Sequence, residues 1–180
     1  YFQSWTNTYD STENLKRIYD LALSCGDFSQ FIVSTRPDCV GEDVADLLAQ
    51  YITPEREVWV ELGLQSASDE TLKRINRGHT LSDYITCAER LHKRGIKICT
   101  HVIIGLPGEE RKDFIKTAEA LNQVGSEGVK IHNLHIPGGT RMAQDYLDGE
   151  IVSWSTERYM NEVQYFLRLL NPGMIVQRLV

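Results

Sequence analysis

The chain has 180 residues, of which 42% are hydrophobic and 24% are charged, and its net charge is −6 at neutral pH. These values fit one globular domain, taken as 1–180, and exclude a disordered chain. No apolar run approaches the roughly 20 residues that a membrane span needs. The acidic balance argues against a general nucleic-acid clamp, although a local patch could still hold a nucleic-acid substrate.

Cysteine is used sparsely, at Cys25, Cys39, Cys87 and Cys99. No two of these have a C-x-x-C spacing, so neither a zinc site nor a redox pair is indicated. Residues 1–4 lack the basic and apolar regions of a signal peptide, and they resemble either the remnant of a cleavable tag or a native segment. We therefore expect a cytoplasmic protein without disulfides and without a membrane partner.

Helical and β-prone segments alternate along the chain. Apolar periodicity and capping residues predict helices at 13–25, 41–52, 69–76, 80–95, 110–124 and 155–170. Thr80 and Asp83 are predicted to form the capping box of the fourth of these helices. Strands are predicted at 28–34, 57–65, 96–104, 128–136 and 174–180. Strands that alternate with helices and begin about 30 residues apart predict a parallel sheet with right-handed crossovers. The glycine-bearing stretch 137–150 is a candidate active-site loop or lid.

Polar or glycine-rich residues follow the first four predicted strands and the opening segment. They occupy positions 6–8, 34–38, 65–66, 105–109 and 137–140. Because ligands bind at the carboxyl ends of parallel strands, this pattern predicts a binding site along that rim. The phosphate-binding motifs of dinucleotide and P-loop proteins and the nucleophile elbow of hydrolases are missing from the sequence.

Histidines and one arginine carry the remaining chemical signals. His132 and His135 lie three residues apart on one predicted strand, so they should face opposite sides and cannot bind one metal together. Arg77 follows a short predicted helix. It is either a solvated cation favoured by the helix C-terminus or a guanidinium that holds a ligand carboxylate, and spacing alone does not decide between these.

Several segments together resemble one enzyme family. The segments 61–66, 69–72, 76–80 and 102–109 resemble the fourth strand, the following helix and the fifth strand of radical S-adenosylmethionine (SAM) enzymes of the Elp3/MiaB/NifB type. The segments 1–9, 34–39 and 134–140 are similar to an uncharacterised YhcC-like subgroup. The resemblance covers nearly the whole chain, and it favours a native barrel strand at the start rather than a tag remnant.

The resemblance implies an α/β fold, a partial TIM-like (β/α)6 barrel with outer helices that lacks its first βα unit and binds SAM at its rim. It implies SAM contacts for Arg77 (carboxylate), Gln65 and His101 (ribose or methionine), Thr35 and Arg36 (ribose), and Ile103, Gly105 and Pro107 (adenine).

Three positions depart from the family pattern. His101 replaces a frequent glycine, Arg36 replaces a frequent acidic residue, and Gly108 replaces an acidic residue that follows one step later as Glu109. The cluster loop C-x-x-x-C-x-x-C is also not in this sequence, so the ligands of a [4Fe–4S] cluster are expected outside the chain. The full-length parent would cleave SAM reductively to a 5′-deoxyadenosyl radical, and the chain alone should be inactive.

The leading hypothesis is therefore the SAM-binding part of a radical SAM iron–sulfur enzyme. Its expected partners are SAM, an electron donor and an unknown substrate, for which tRNA is a candidate by analogy. A truncated barrel also exposes a strand edge, which predicts self-association. Two alternatives remain open: another TIM-like enzyme that acts on a small anionic substrate through Arg36 and Arg77, and a non-catalytic binding module.

Overall fold

The computed structural model describes residues 1–179 and contains a five-stranded sheet in the order β1-β2-β3-β4-β5, with every neighbouring pair parallel. The strands are β1 (Gln30–Thr35), β2 (Glu57–Gln65), β3 (Lys97–Ile104), β4 (Gly128–Asn133) and β5 (Ile175–Arg178). The helices are α1 (Thr12–Leu23), α2 (Glu42–Ala49), α3 (Asp69–Arg74), α4 (Leu81–His92), α5 (Arg111–Val124), α6 (Arg141–Leu147) and α7 (Thr156–Leu167). The predicted α/β fold with parallel strands is confirmed.

The helices cover one face of the sheet because alternate strand residues are apolar. In β2, one alternating set is fully buried in the core: Val58, Val60, Leu62 and Leu64. The same core contains one large side chain from each of five helices: Tyr19, Leu48, Tyr84, Phe114 and Phe166. The other alternating set points to the opposite side of the sheet, which we call the inner face. It includes Glu61, Gly63 and Gln65 of β2.

Local sequence signals set the helix ends. The hydroxyl of Thr80 accepts a hydrogen bond from the backbone N–H of Asp83, and the carboxylate of Asp83 accepts one from the N–H of Thr80 at 2.8 Å. This reciprocal pair is the predicted capping box of α4. At the C-terminus of α5, Gly125 ends the helix with φ of +72°, a backbone conformation that residues with a Cβ atom rarely adopt.

Two predictions about the segment after β4 are wrong. The strand ends at Asn133, so His135 lies in the following loop and does not share a strand with His132. Strand β3 ends at Ile104, where Gly105 turns away with φ of +101°, and this leaves later residues of β4 without a partner on that side. The predicted loop 137–150 contains the short helix α6, capped by the side chain of Thr140.

The opening segment also differs from its prediction. Only one parallel bridge, Phe2 to Val33, joins it to the free edge of β1. The chain then turns at Trp5, whose φ is +68°, and the side-chain amide of Asn7 fixes the turn by donating to the carbonyls of Phe2 and Ser34. A regular strand therefore does not continue along this edge.

At the opposite edge, all four residues of β5 are exposed. Because exposed strand edges favour pairing with another chain, self-association is still expected and stays a prediction. Within residues 1–179, no helix combines the length and the apolar character needed to cross a bilayer.

The capping box gives the first testable prediction. Thr80→Ala should lower the free energy of unfolding by about 1 kcal/mol, because the first turn of α4 loses a side-chain hydrogen bond. Chemical denaturation measures this change. Thr86→Ala, at an exposed position within the same helix, is the matched control and should not destabilise. Equal effects of the two variants would contradict the assigned cap.

Candidate functional site

Two arginines meet at the carboxyl ends of β1 and β2. Arg77 extends back from the turn after α3, and its Nη2 donates to the carbonyl of Gly63 at 3.1 Å. Arg36 follows β1, and its Nε donates to Asp38 at 2.9 Å. A Cβ atom placed on Gly78 would lie 3.2 Å from Nη2 of Arg36. The guanidinium of Arg77 lies against Gly63 and that of Arg36 lies against Gly78, so both positions depend on residues without side chains.

The charge on Arg77 is only partly compensated. Burial lowers the pKa of Arg77, the neighbouring Arg36 lowers it further, and Asp38 opposes both effects. The Nε atom of Arg77 is buried and has no hydrogen-bond partner among residues 1–179. A buried donor without a partner is costly, and two adjacent cations repel each other. An anionic ligand would relieve both penalties.

Gln65 joins this group through an irregularity in β2. The pairing of β2 with β3 shifts between Gly63 and Gln65, and Gln65 has φ of +72°. A Cβ atom on Gly63 would come within 2.8 Å of the Gln65 amide nitrogen and would also collide with Arg77. Three predicted SAM contacts, Arg36, Gln65 and Arg77, are thus brought together.

Thr35 is placed elsewhere. Its side chain is buried, and its hydroxyl lies 2.5 Å from that of Thr8. Its neighbour Ser34 bonds to Glu61 on the inner face, so the alternation of β1 turns Thr35 toward the helices. The side chain of Thr35 therefore points away from the rim arginines, whereas its backbone carbonyl lies 3.5 Å from a Cβ atom placed on Gly63, beside Arg77 and Gln65. Its ribose contact remains a prediction.

The three predicted adenine contacts lie at the end of β3. Ile103 is half-buried on the inner face, and Gly105 lines a largely apolar cavity of about 600 Å³ beside Trp154 and Leu134. A Cβ atom on Gly105 would lie 3.6 Å from the Trp154 ring. Pro107 lines a smaller cavity of about 360 Å³, to which Gly105 and Trp154 also contribute.

Glu109 follows the same turn and connects two strand ends. Its buried carboxylate accepts a hydrogen bond from Ser66, which follows β2. Burial raises the pKa of Glu109 to about 7, while bonds from Ser66 and Thr71 oppose this rise. The acidic residue that lies one step late in the sequence pattern thus ties the turn after β3 to the end of β2.

His101 belongs to a different group on the inner face. Its Nε2 lies 3.0 Å from the carboxylate of Glu61, which also accepts from Ser34 at 2.7 Å. Lys130 and the hydroxyl of Tyr1 bond to the same carboxylate. Burial favours the neutral acid, but these hydrogen bonds outweigh it and lower the pKa of Glu61 from 4.5 to about 2. Glu61 is therefore a fixed anion.

Three further residues near these groups were not predicted as site residues: Glu61, Lys130 and Trp154. A signal for the first two was present, because each is a charged residue within a strand of apolar residues, on the alternation that faces away from the helices. The position of Trp154 beside Gly105 had no local signal, since it depends on how the chain returns after α6.

The residues of this chain do not fit an iron–sulfur cluster. Cys25 is exposed, Cys39 is half-buried, and Cys87 and Cys99 are buried. Burial raises the pKa of both buried thiols to about 12, which disfavours the thiolates that bind iron. Within the described part of the chain, no group of three or more histidine, cysteine or acidic side chains could hold a metal ion.

Comparison with known proteins decides the family. The sequence model of the radical SAM superfamily matches residues 7–121, and that of the Radical_SAM C-terminal domain matches residues 126–180. The chain belongs to the radical SAM superfamily. The resemblance inferred from the sequence is thereby confirmed.

Relatives within this superfamily match nearly the whole chain. The uncharacterised protein MJ0486 of Methanocaldococcus jannaschii is 41% identical over 99% of this chain and 56% of its own length. The protein YhcC of Escherichia coli K12 is 39% identical over 99% of the chain and 58% of its own length. The chain therefore spans little more than half the length of these two relatives.

Two further proteins match the chain at lower identity, one by sequence and one by structure. The tRNA-2-methylthio-N(6)-dimethylallyladenosine synthase of Fusobacterium nucleatum is 24% identical over 98% of the chain and 42% of its own length. The structure of Methanocaldococcus infernus Elp3 superposes with a TM-score of 0.82 and 21% identity, covering 97% of this chain and 46% of that one. The structural likeness confirms the predicted architecture of a partial barrel.

The buried carboxylate gives a prediction about stability. Glu61→Gln should lower the free energy of unfolding at pH 7 by about 3 kcal/mol, because Lys130 is left in a largely buried position without its counter-charge. Since folding lowers the pKa of Glu61, its contribution is present above pH 4.5 and is lost as the pH falls toward about 2. The variant should therefore show a flatter loss of stability in acid.

Denaturant unfolding between pH 7 and pH 2 measures both effects. Glu57→Gln is the matched control, because Glu57 lies on the same strand but forms an exposed pair with Lys97. The Glu57→Gln substitution should lower the free energy of unfolding by less than about 1 kcal/mol. The assignment is wrong if the two glutamates prove equivalent.

Proposed function

We propose that this chain is the SAM-binding part of a radical SAM iron–sulfur enzyme, and that its rim arginines hold the carboxylate of SAM. The observation that carries this proposal is the buried Nε of Arg77, which has no partner in residues 1–179 and lies beside a second arginine. A carboxylate matches the planar fork of a guanidinium and would supply the missing acceptor.

The rest of SAM fits the same rim. The apolar cavity beside Gly105, Leu134 and Trp154 has about 600 Å³, which lies in the range of small-molecule sites. We infer that the adenine occupies this cavity and that Gln65, between the arginines and β3, meets the ribose or methionine part. Superfamily membership favours this interpretation over a different TIM-like enzyme or a non-catalytic module.

The cluster ligands would come from residues of the full-length parent outside this chain. When SAM is bound beside a reduced cluster, its reductive cleavage supplies an organic radical. The residues present here would bind and orient SAM and shield it from water. An electron donor is needed as a further partner, and the chain alone should not turn over.

The substrate of the parent is a further proposal. A relative that is 24% identical is named as a tRNA-modifying synthase, and this supports tRNA as a candidate. The chain itself has a net charge of −6, so any such contact would need a local patch or residues of the parent outside the chain.

Calorimetric titration with SAM tests the role of Arg77. Arg77→Ala should weaken SAM binding by about 1.5 to 3 kcal/mol, the value of a hydrogen bond to a charged group. Arg17→Ala, which removes an exposed arginine on α1, is the matched control and should bind SAM like the unmodified chain. Absent binding, or unchanged affinity in Arg77→Ala, would contradict the proposed site.

A second variant tests Gly63, whose carbonyl accepts a hydrogen bond from the guanidinium of Arg77. Gly63→Ala should weaken SAM binding to a similar extent, because the added methyl group would displace both Arg77 and Gln65. Gly173→Ala is the control, since a Cβ atom there meets no atom within 4 Å. SAM affinity that survives Gly63→Ala would show that the observed position of Arg77 is not needed.

A further inference from the structure

The inner face carries a second polar group that SAM binding at the rim does not use. It consists of Tyr1, Glu61, His101, Lys130 and His132, and we call it the inner-face cluster. Its members come from the opening segment and from β2, β3 and β4, so four separate parts of the chain converge on it. Such convergence of titratable side chains is typical of a functional site.

Glu61 holds two members of the cluster in fixed positions. Its carboxylate bonds to His101 at 3.0 Å and to Lys130. The ring of His101 in turn lies against that of His132, with centroids 5.1 Å apart and planes tilted by 41°. The side chains are therefore arranged before any ligand arrives, which reduces the entropy lost on binding.

Two donor positions of the cluster lack acceptors. The Nε2 atom of His132 is buried and has no hydrogen-bond partner within residues 1–179. The ammonium of Lys130 has three donors, and the described part of the chain supplies two acceptors, Glu61 and the Tyr1 hydroxyl at 3.0 Å. A buried polar atom such as Nε2 of His132 is normally satisfied. Lys130, which is partly exposed and also lies over the Tyr1 ring at 4.9 Å, has its third donor on the same face, so the two side chains indicate a site for a ligand acceptor.

The charges around His132 favour an anion. Burial, together with the neighbouring His101 of β3, Arg178 of β5 and Lys130 of β4, lowers the pKa of His132 to about 4. Only Glu61 of β2 acts in the opposite direction. His132 is thus a neutral imidazole in a mainly cationic environment, and a bound anion would stabilise its protonated form.

We propose that the inner-face cluster binds an oxyanion of the substrate, a carboxylate or a phosphate, through Nε2 of His132 and the third donor of Lys130. The assignment of this ligand to the substrate rests on the proposed function, whereas the anion site itself does not. It is distinct from the rim site, where Arg36 and Arg77 meet the carboxylate of SAM.

Proton NMR of the histidine rings tests this proposal, with acetate and inorganic phosphate as separate probes. Either probe should shift the His132 signal saturably and raise the apparent pKa of His132 by at least about one unit. Such a rise means that the anion binds the protonated form of His132 at least about tenfold more tightly than the neutral form. The tighter of the two probes identifies the class of oxyanion. His92, the last residue of α4, pairs through its ring Nε2 with Glu127 at 3.2 Å; it is an internal reference and should not respond.

Two variants locate the response. His132→Phe keeps the aromatic ring against His101 but removes both nitrogens, so it should abolish anion binding and leave SAM binding unchanged. Arg77→Ala should weaken SAM binding and leave anion binding unchanged. This double comparison separates failure of the anion site from failure of the SAM site.

The proposal is overturned if neither probe shifts His132 saturably, if anion binding persists in His132→Phe, or if Arg77→Ala abolishes it. Should His132→Phe fail to fold, which circular dichroism reports, the titration of the unmodified chain with and without the probes still decides.

Discussion

The two-residue alternation of parallel strands is the constraint on which both candidate sites depend. In β2 it directs Val58, Val60, Leu62 and Leu64 under the helices and leaves Glu61, Gly63 and Gln65 on the inner face. A shift by one residue would bury Glu61 beneath the helices and expose the core. The same pattern that stabilises the fold therefore delivers one buried carboxylate, one glycine and one amide to successive levels of the inner face.

The lower level, at Glu61, and the upper level, at the rim arginines, differ in how their charges are compensated. At the lower level, Glu61 compensates Lys130 and bonds to His101, so a charged pair is tolerated in a largely buried position. At the rim, Arg77 is half-buried beside Arg36, and its buried Nε has no acceptor within residues 1–179. In the first arrangement Glu61 compensates Lys130 but leaves Nε2 of His132 without an acceptor, and in the second Asp38 pairs with Arg36 and leaves Nε of Arg77 without one. This contrast is why the rim is assigned to SAM and the inner face to the substrate.

Much of this could be predicted from the sequence, because helix caps and strand alternation are local. The limits of β2 were predicted to the residue, and the capping box of Thr80 and Asp83 was also correct. The end of β4, the helix α6 and the single bridge at Phe2 were missed, because each depends on where a neighbouring strand stops or where the chain turns. The direction of the Thr35 side chain, away from the rim, follows from the register of β1, which fixes its face only once Ser34 is paired with Glu61.

An experimental structure of the chain with SAM bound would test the central claim most directly. The account predicts that the carboxylate of SAM accepts hydrogen bonds from Arg77, including its Nε, with the adenine in the cavity beside Gly105 and Trp154. A structure in which SAM lies away from this rim, while Arg77 still contacts only the carbonyl of Gly63, would contradict it.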